Sequence, residues 1–266
     1  MKKNVLFILI LVVSIFTNSC STVPITGRNQ LSLIPASQLM SMSFQQYDTF
    51  LSENKVSKDG NQTARIKRIG LKIQKAVEQY FELKNLSQHL NGYAWEFNLV
   101  ESDQVNAWCM PGGKVVFYTG ILPICKDDAG IAAVMGHEIA HAIAEHGCER
   151  MSQGLIVELG GMGLQAALQN EPALTQQLAM TAFGIGSQVG IMLPFSRLHE
   201  SEADHMGLIF MSMAGYNPNN AVEFWKRMAA QGGAKPPEFL STHPSDETRI
   251  NDLKKLIPEA MQYYKK

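Results

Sequence analysis

Charge is scarce in this sequence and nearly balanced. Asp, Glu, Lys and Arg make up 18% of its 266 residues and leave a formal net charge of −1. A surface built to hold a polyanion needs a cationic excess, so composition argues against nucleic-acid binding, and no nucleic-acid motif occurs. Cysteine is equally scarce, at four residues. Beyond Cys20 only Cys109, Cys125 and Cys148 remain, so at most one intramolecular disulfide can form. Long uninterrupted apolar runs are missing too. The run from Val5 to Phe16 is about 12 residues, well under the ~20 that a membrane-crossing helix needs. The apolar stretch Gly154 to Leu193 is broken up by Gly184, Gly186 and Gln188 and followed by Pro194, and is not expected to cross a membrane. What the chain does have is 45% hydrophobic residues, enough to bury one sizeable core.

Against this bland background one string stands out: His137-Glu138-Ile139-Ala140-His141, an H-E-x-x-H motif inside a segment that reads as helix. Positions four apart share a helix face, so His137 and His141 can put two imidazole nitrogens on one zinc ion. Glu138 lies one step round the helix, where a general base for a water belongs. The flanking Ala132, Ala133, Val134, Ala140, Ala142 and Ile143 imply a largely buried helix, and buried His and Glu need partners that a metal can supply.

A catalytic zinc usually has a third protein ligand. Ser196-Arg197-Leu198-His199-Glu200-Ser201-Glu202-Ala203-Asp204 opens a second helical run. Glu200 and Asp204 share a face, so one can ligate the metal while the other accepts a hydrogen bond from a ligating histidine. Glu202 points elsewhere, and His199 is an adjacent competitor. His89, His146 and His205 are read as structural or surface residues. If the helix after His141 continues, Cys148 shares its face, although two histidines and a glutamate already fill the catalytic pattern.

These strings resemble the gluzincin metallopeptidase family that includes the CAAX prenyl protease, HtpX and BepA. The pattern there is H-E-x-x-H followed by S-R-x-x-E-x-x-A-D. The resemblance covers roughly residues 60 to 253 and implies an α+β, mostly α, zincin-like domain. In such a domain a small sheet has an edge strand flanking the active-site helix. It assigns Glu200 as third zinc ligand and Asp204 as the carboxylate behind a ligand. Asn106-Ala107-Trp108-Cys109-Met110-Pro111-Gly112-Gly113 is similar to the family's N-A-F-x-x-P-G-G, and Thr242-His243-Pro244-Ser245 with Arg249 to its T-H-P-x-x-x-x-R. Pro24 to Arg28 also resembles a stretch found in short bacterial lipoprotein members of the family.

The Asn106 segment has a reading of its own. Trp95 to Val100 and Val115 to Thr119 are β-rich, and Pro111-Gly112-Gly113 is turn chemistry. Asn106 to Met110 is then a strand. With Asn106, Ala107 and Trp108 at a sheet edge, a peptide substrate could add by backbone hydrogen bonds. Ser245 is a plausible N-cap for a helix from Asp246 to Ile257. That leaves His243 just outside the helix and Arg249 in its second turn, where either could stabilise an oxyanion. The resemblance also allows His243 as a fourth metal ligand in a resting state.

The N-terminus reads as a signal peptide over residues 1–19, with Lys2 and Lys3 ahead of the apolar run. Ser19 before Cys20 suggests lipidation at Cys20, although Thr17-Asn18 departs from the usual pattern. Ser21 without nearby acidic residues points to an outer-membrane lipoprotein facing the periplasm. Residues 20–60 are then an extended tether and an N-terminal helix, and 61–266 the zinc metallopeptidase domain. Gln62 to Glu82 is an amphipathic helix. Gly154 to Leu193 forms one or two apolar helices, either a lid near the zinc or a core hairpin. No helical-repeat scaffold is expected.

The expected function is zinc-dependent endoproteolysis with one Zn²⁺ per chain. Unfolded or misassembled cell-envelope proteins would be the substrates, and lipidated Cys20 would make the membrane contact. Glu138 would serve as base, and His243 or Arg249 would assist. The alternatives are an outer-membrane protein assembly factor or chaperone with mostly latent proteolysis, and a zinc hydrolase of a non-peptide substrate.

Overall fold

The computed structural model describes residues 20–232 and 245–264, and its architecture is mostly helical. A two-stranded antiparallel ribbon, β1 (Cys20–Thr22) with β2 (Asn29–Leu31), leads into helix α1 (Ala36–Glu53). Helix α2 (Gly60–Leu83) follows. The Asp59 side chain caps it by accepting from the backbone N–H groups of Asn61 and Gln62, both at 3.0 Å. Its stripe Ile66, Ile69, Ile73, Val77 and Phe81 is fully buried, as the three-to-four spacing of those residues requires.

Three strands come next: β3 (Glu96–Val100), β4 (Ala107–Met110) and β5 (Lys114–Tyr118), in the order β3-β5-β4. β3 runs parallel to β5, and β4 pairs antiparallel with it. The β4–β5 turn is the expected Pro111-Gly112-Gly113. Both glycines sit at positive φ, 86° and 85°, which side-chain-bearing residues rarely adopt. β4 is therefore an edge strand.

A single turn, α3 (Leu122–Cys125), precedes α4 (Asp128–Ile143), the helix that carries H-E-x-x-H. Asp127 caps α4 by accepting from the Gly130 N–H at 2.9 Å. Helices α5 (His146–Ala167) and α6 (Ala173–Ser187) form a hairpin, and a π turn (Gln188–Met192) joins α6 to α7 (Leu193–Met213). α8 (Asn219–Ala229) and α9 (Asp246–Ala260) complete the domain. The core lies between α2, the sheet, α4 and α7.

The crossing of α4 and α7 sets the site. A Cβ on Gly136 would stand 2.8 Å from the Gly207 carbonyl oxygen, and one on Gly207 would stand 2.8 Å from the His137 backbone nitrogen. Only glycine at both positions lets the two backbones touch, and that contact brings the α7 carboxylates up to the α4 histidines.

Three expectations need correction. The stretch read as an extended tether folds into the β1–β2 ribbon, with Val23 fully buried. The helix after His141 does not continue: Glu145 is in the left-handed conformation, φ 56°, so α5 leaves in a new direction and Cys148 does not extend the metal-facing row. Nor do Gly184, Gly186, Gln188 and Pro194 break the second apolar segment, because Ala173–Met213 is one continuous helix of 41 residues. The wider π turn just before Pro194 absorbs the hydrogen bond and the space that proline denies an α-helix.

Candidate metal centre

His137 and His141, one turn apart on α4, turn their Nε2 atoms toward each other at 3.2 Å. Glu200 on α7 meets both. Its Oε1 lies 3.2 Å from His141 Nε2, and its Oε2 lies 3.6 Å from His137 Nε2. All three ligating atoms fall within 4.8 Å of one another, the one such group among the described residues. Two imidazoles and one carboxylate are the donor set of a catalytic zinc with an open position. Burial pushes His141 down to about 3, so it stays neutral and keeps its lone pair for a metal.

Each histidine is fixed from behind. His137 Nδ1–H donates to Asp204 Oδ1 at 2.9 Å. Burial opposes the charge on Asp204, but Arg249 and His137 outweigh it and hold the carboxyl below its ordinary value. His141 Nδ1 meets His146 Nδ1 at 2.9 Å, and His146 Nε2 lies 3.3 Å from Glu202 Oε2. With His141 Nε2 turned to the metal, its Nδ1–H donates to His146, and His146 donates onward to Glu202. Burial lowers His146 to about 4, in keeping with a neutral relay.

The β1–β2 ribbon closes this network. Arg28 in the β1–β2 ribbon donates twice to Glu149, at 2.9 and 2.7 Å, and its Nε donates to Glu202 at 2.8 Å. The Thr26 hydroxyl donates to Glu202 as well. His199 lies 2.7 Å from Glu149 and stacks on His146. Burial raises the Glu149 carboxyl, but His199 and Arg28 win and hold it at about 2.

Glu138 is half-buried beside the ligands. Desolvation is the main cause that pushes its carboxyl up to about 7, with the Glu200 charge adding to it. Arg249, from the second turn of α9, donates to Glu200 Oε2 at 3.1 Å and to Asp204 Oδ1 at 2.7 Å. Its guanidinium lies 3.4 Å from the centre of the Trp225 ring. On β4, Ala107 is buried, Trp108 packs edge-on to Phe50 of α1, and Asn106 is exposed just before the strand. Cys109 on the same strand is near enough to Glu138 to feel its charge, so the edge strand runs alongside the base.

The structure thus brings together His137, Glu138, His141, Glu200, Asp204 and Arg249. Cys20 stands apart at the start of β1, Cα-paired with Leu31. His243 lies outside the described residues. Sequence reading missed His146, Glu202, Arg28 and Thr26. For Thr26 and Arg28 the signal was the family-like Pro24–Arg28 stretch, which carried no role. His199 does not compete for the metal, since Glu149 holds it.

With this geometry in view, the match to known proteins is unambiguous at the family level: the description "Peptidase family M48" fits residues 67–257. The chain belongs to that family, whose members are zinc metallopeptidases. It is 39% identical over 168 residues to the mitochondrial metalloendopeptidase OMA1 of Schizosaccharomyces pombe, covering 62% of this chain and 48% of that protein. It is 35% identical over 208 residues to OMA1 of Saccharomyces cerevisiae, covering 75% and 57%. The beta-barrel assembly-enhancing protease of Escherichia coli stands at 26% over 267 residues, covering 96% and 52%. The chain spans about half the length of the curated relatives it matches.

These relatives overturn the compartment read from the N-terminus. The ones at 39% and 35% identity are mitochondrial proteins, so a lipid-anchored place in a bacterial outer membrane facing the periplasm does not stand. A short apolar leader before one cysteine is a degenerate signal, and similarity across a folded domain outweighs it. Nor do they support a bacterial lipoprotein branch.

Proposed function

We propose that this M48 domain is an active zinc metalloendopeptidase that cuts extended segments of unfolded or misassembled proteins. The observation that carries the reading is the convergence of three ligand atoms within 4.8 Å beside a half-buried glutamate that is not one of them. Zinc bound there would polarise the scissile carbonyl and bring the attacking water's pKa toward neutrality.

The chain's own residues do the rest. Glu138 accepts the proton of the attacking water and returns it to the leaving amine, and a carboxyl raised to about 7 suits a group that must both take and give near neutral pH. Asp204 and the His146–Glu202 pair fix the two imidazoles in the ligating tautomer. Arg249 holds Glu200 and Asp204 in place. The open edge of β4 can take a substrate backbone as an added strand, so extended, unfolded chain is preferred over any particular side chain. The metalloendopeptidase names of the OMA1 relatives support the reaction class.

The test is cleavage of casein or another unfolded chain by the wild type and by Glu138→Gln, each with its zinc content measured. The reading requires that chelation abolish cleavage, that zinc restore it, and that Glu138→Gln keep its zinc while losing activity. A fully active Glu138→Gln variant would remove the base from this role.

A further inference from the structure

Helices α5 and α6 grow out of the metal centre, and only the first turns of α5 pack onto the domain, against the β1–β2 ribbon and α7. α5 starts at His146, against His141, and the helix containing α6 runs on into α7, which carries Glu200. Beyond its first turns the hairpin exposes large apolar side chains. Leu159, Met162, Leu174, Leu178 and Ile185 are between 57% and 67% exposed. The most apolar 18-residue window of Ala173–Met213 is 6% buried, whereas a core helix of the same composition would be mostly buried. In water such surface is costly, and monomeric soluble domains seldom leave it open.

Three features identify what covers it. The first is charge: no ionisable residue occurs between Glu171 and Arg197, and only Glu158 between Arg150 and Glu171. A protein partner's rim is normally met by charged residues, whereas hydrocarbon excludes them. The second is length. The 15 residues of α6 and the five of the π turn rise about 30 Å, the thickness of a bilayer's hydrocarbon core. The third is the seam between the two arms, where Gly160 and Gly161 lie against the Phe183 ring. Where no water drives apolar surfaces together, helices associate through such small-residue contacts. Arg150 and Arg197 bracket the apolar arms at their bases, where an interface places cations.

We propose that the α5–α6 hairpin docks into a lipid bilayer and holds the metal centre at the membrane surface. The site then meets chain segments that emerge from or lie along that surface. The inference uses no metal ligand and does not depend on proteolysis: Glu138→Gln should dock as the wild type does.

The test uses the full chain with an environment-sensitive fluorescent amino acid at Leu178 and, as a control, at Gln231. Vesicles are phosphatidylcholine and phosphatidylethanolamine, with or without bromine on the acyl chains. The probe at Leu178 should shift to the blue and be quenched by brominated lipid, while the probe at Gln231 should do neither. Because quenching reports the hairpin itself, attachment through another part of the chain does not mimic it. Ile185→Asp together with Met162→Asp should abolish quenching at Leu178, since each buried charge lowers partitioning about a hundredfold. Retained zinc shows that this variant is folded. An unchanged Leu178 probe on vesicle-bound protein would overturn the proposal. So would a blue shift that grows with protein concentration without vesicles and ignores bromine, which would mark a second copy of the chain as the occupant.

Discussion

Removing the Arg28 guanidinium tests whether the N-terminal ribbon is part of the metal centre. Arg28→Met keeps most of the side chain's volume and takes away its charge. Glu149 and Glu202, 2% and 5% exposed, then lose their shared cation. Deleting one partner of a buried ion pair costs about 3–5 kcal/mol, because the other is left uncompensated. The protonation of Glu149 gives the effect a pH dependence. Burial opposes the charge, but His199 and then Arg28 pull the carboxyl down from its ordinary 4.5 to about 2, so its ionised form stabilises the folded chain. That stability is fully present above the unfolded value and is lost as pH drops through the folded one. With Arg28 gone, His199 alone holds Glu149 down, so the acid limb of the stability curve should move to higher pH.

The assay is urea unfolding of the zinc-free protein across pH 3 to 8, with zinc affinity measured in parallel. Arg28→Met should lose about 3 kcal/mol near neutral pH, and less at the acid end, where wild-type Glu149 also protonates. Zinc should bind roughly 10- to 100-fold more weakly, because Glu202 and His146 no longer fix the His141 ring. A loss under about 1 kcal/mol with unchanged zinc affinity would refute the reasoning, since the pair would then act as an ordinary surface bridge.

Further outcomes follow from other contacts. Glu138→Gln should lower kcat by about 10² to 10⁴ with zinc retained, read by peptide cleavage and elemental analysis. Glu200→Ala should lose most bound zinc, whereas Glu202→Gln should only weaken it, as competition against a graded chelator would show. Gly207→Ala should force α4 and α7 apart at the His137 backbone, lowering stability by about 1–3 kcal/mol and zinc affinity with it, measured by thermal unfolding and metal titration.

What the sequence made legible was local. His137 and His141 are four apart in an apolar helix, and helical geometry alone pairs them. Glu200 and Asp204 have the same spacing and share a face for the same reason. Pro111-Gly112-Gly113 announces its turn because two successive positive φ values call for glycine. His146 was not legible, since it reaches His141 only after the left-handed residue Glu145 redirects the chain, and nothing in Ala144-Glu145-His146 signals that break. Arg28 was less legible still: its carboxylate partners lie 121 and 174 residues away. Where the chain was read by pattern rather than by geometry, as with Pro194, the fold found an exit in the π turn.

Charge explains why Arg249 belongs to this cluster. Its two terminal nitrogens already donate to Glu200 and Asp204, and its face rests on Trp225. Those two bonds do not use up the five N–H donors of a guanidinium, and its Nε–H has no partner among the described residues, so Arg249 can hold both carboxylates and still offer a donor. Glu138, Glu200 and Asp204 together bring three negative charges when ionised, and Arg249 offsets one. The two that remain match a divalent cation seated between His137, His141 and Glu200. Burying that many carboxylates without such a cation would be costly. A lysine at position 249 could supply the charge but not two donors aimed at two carboxylates, so the planar fork of arginine is what the site requires.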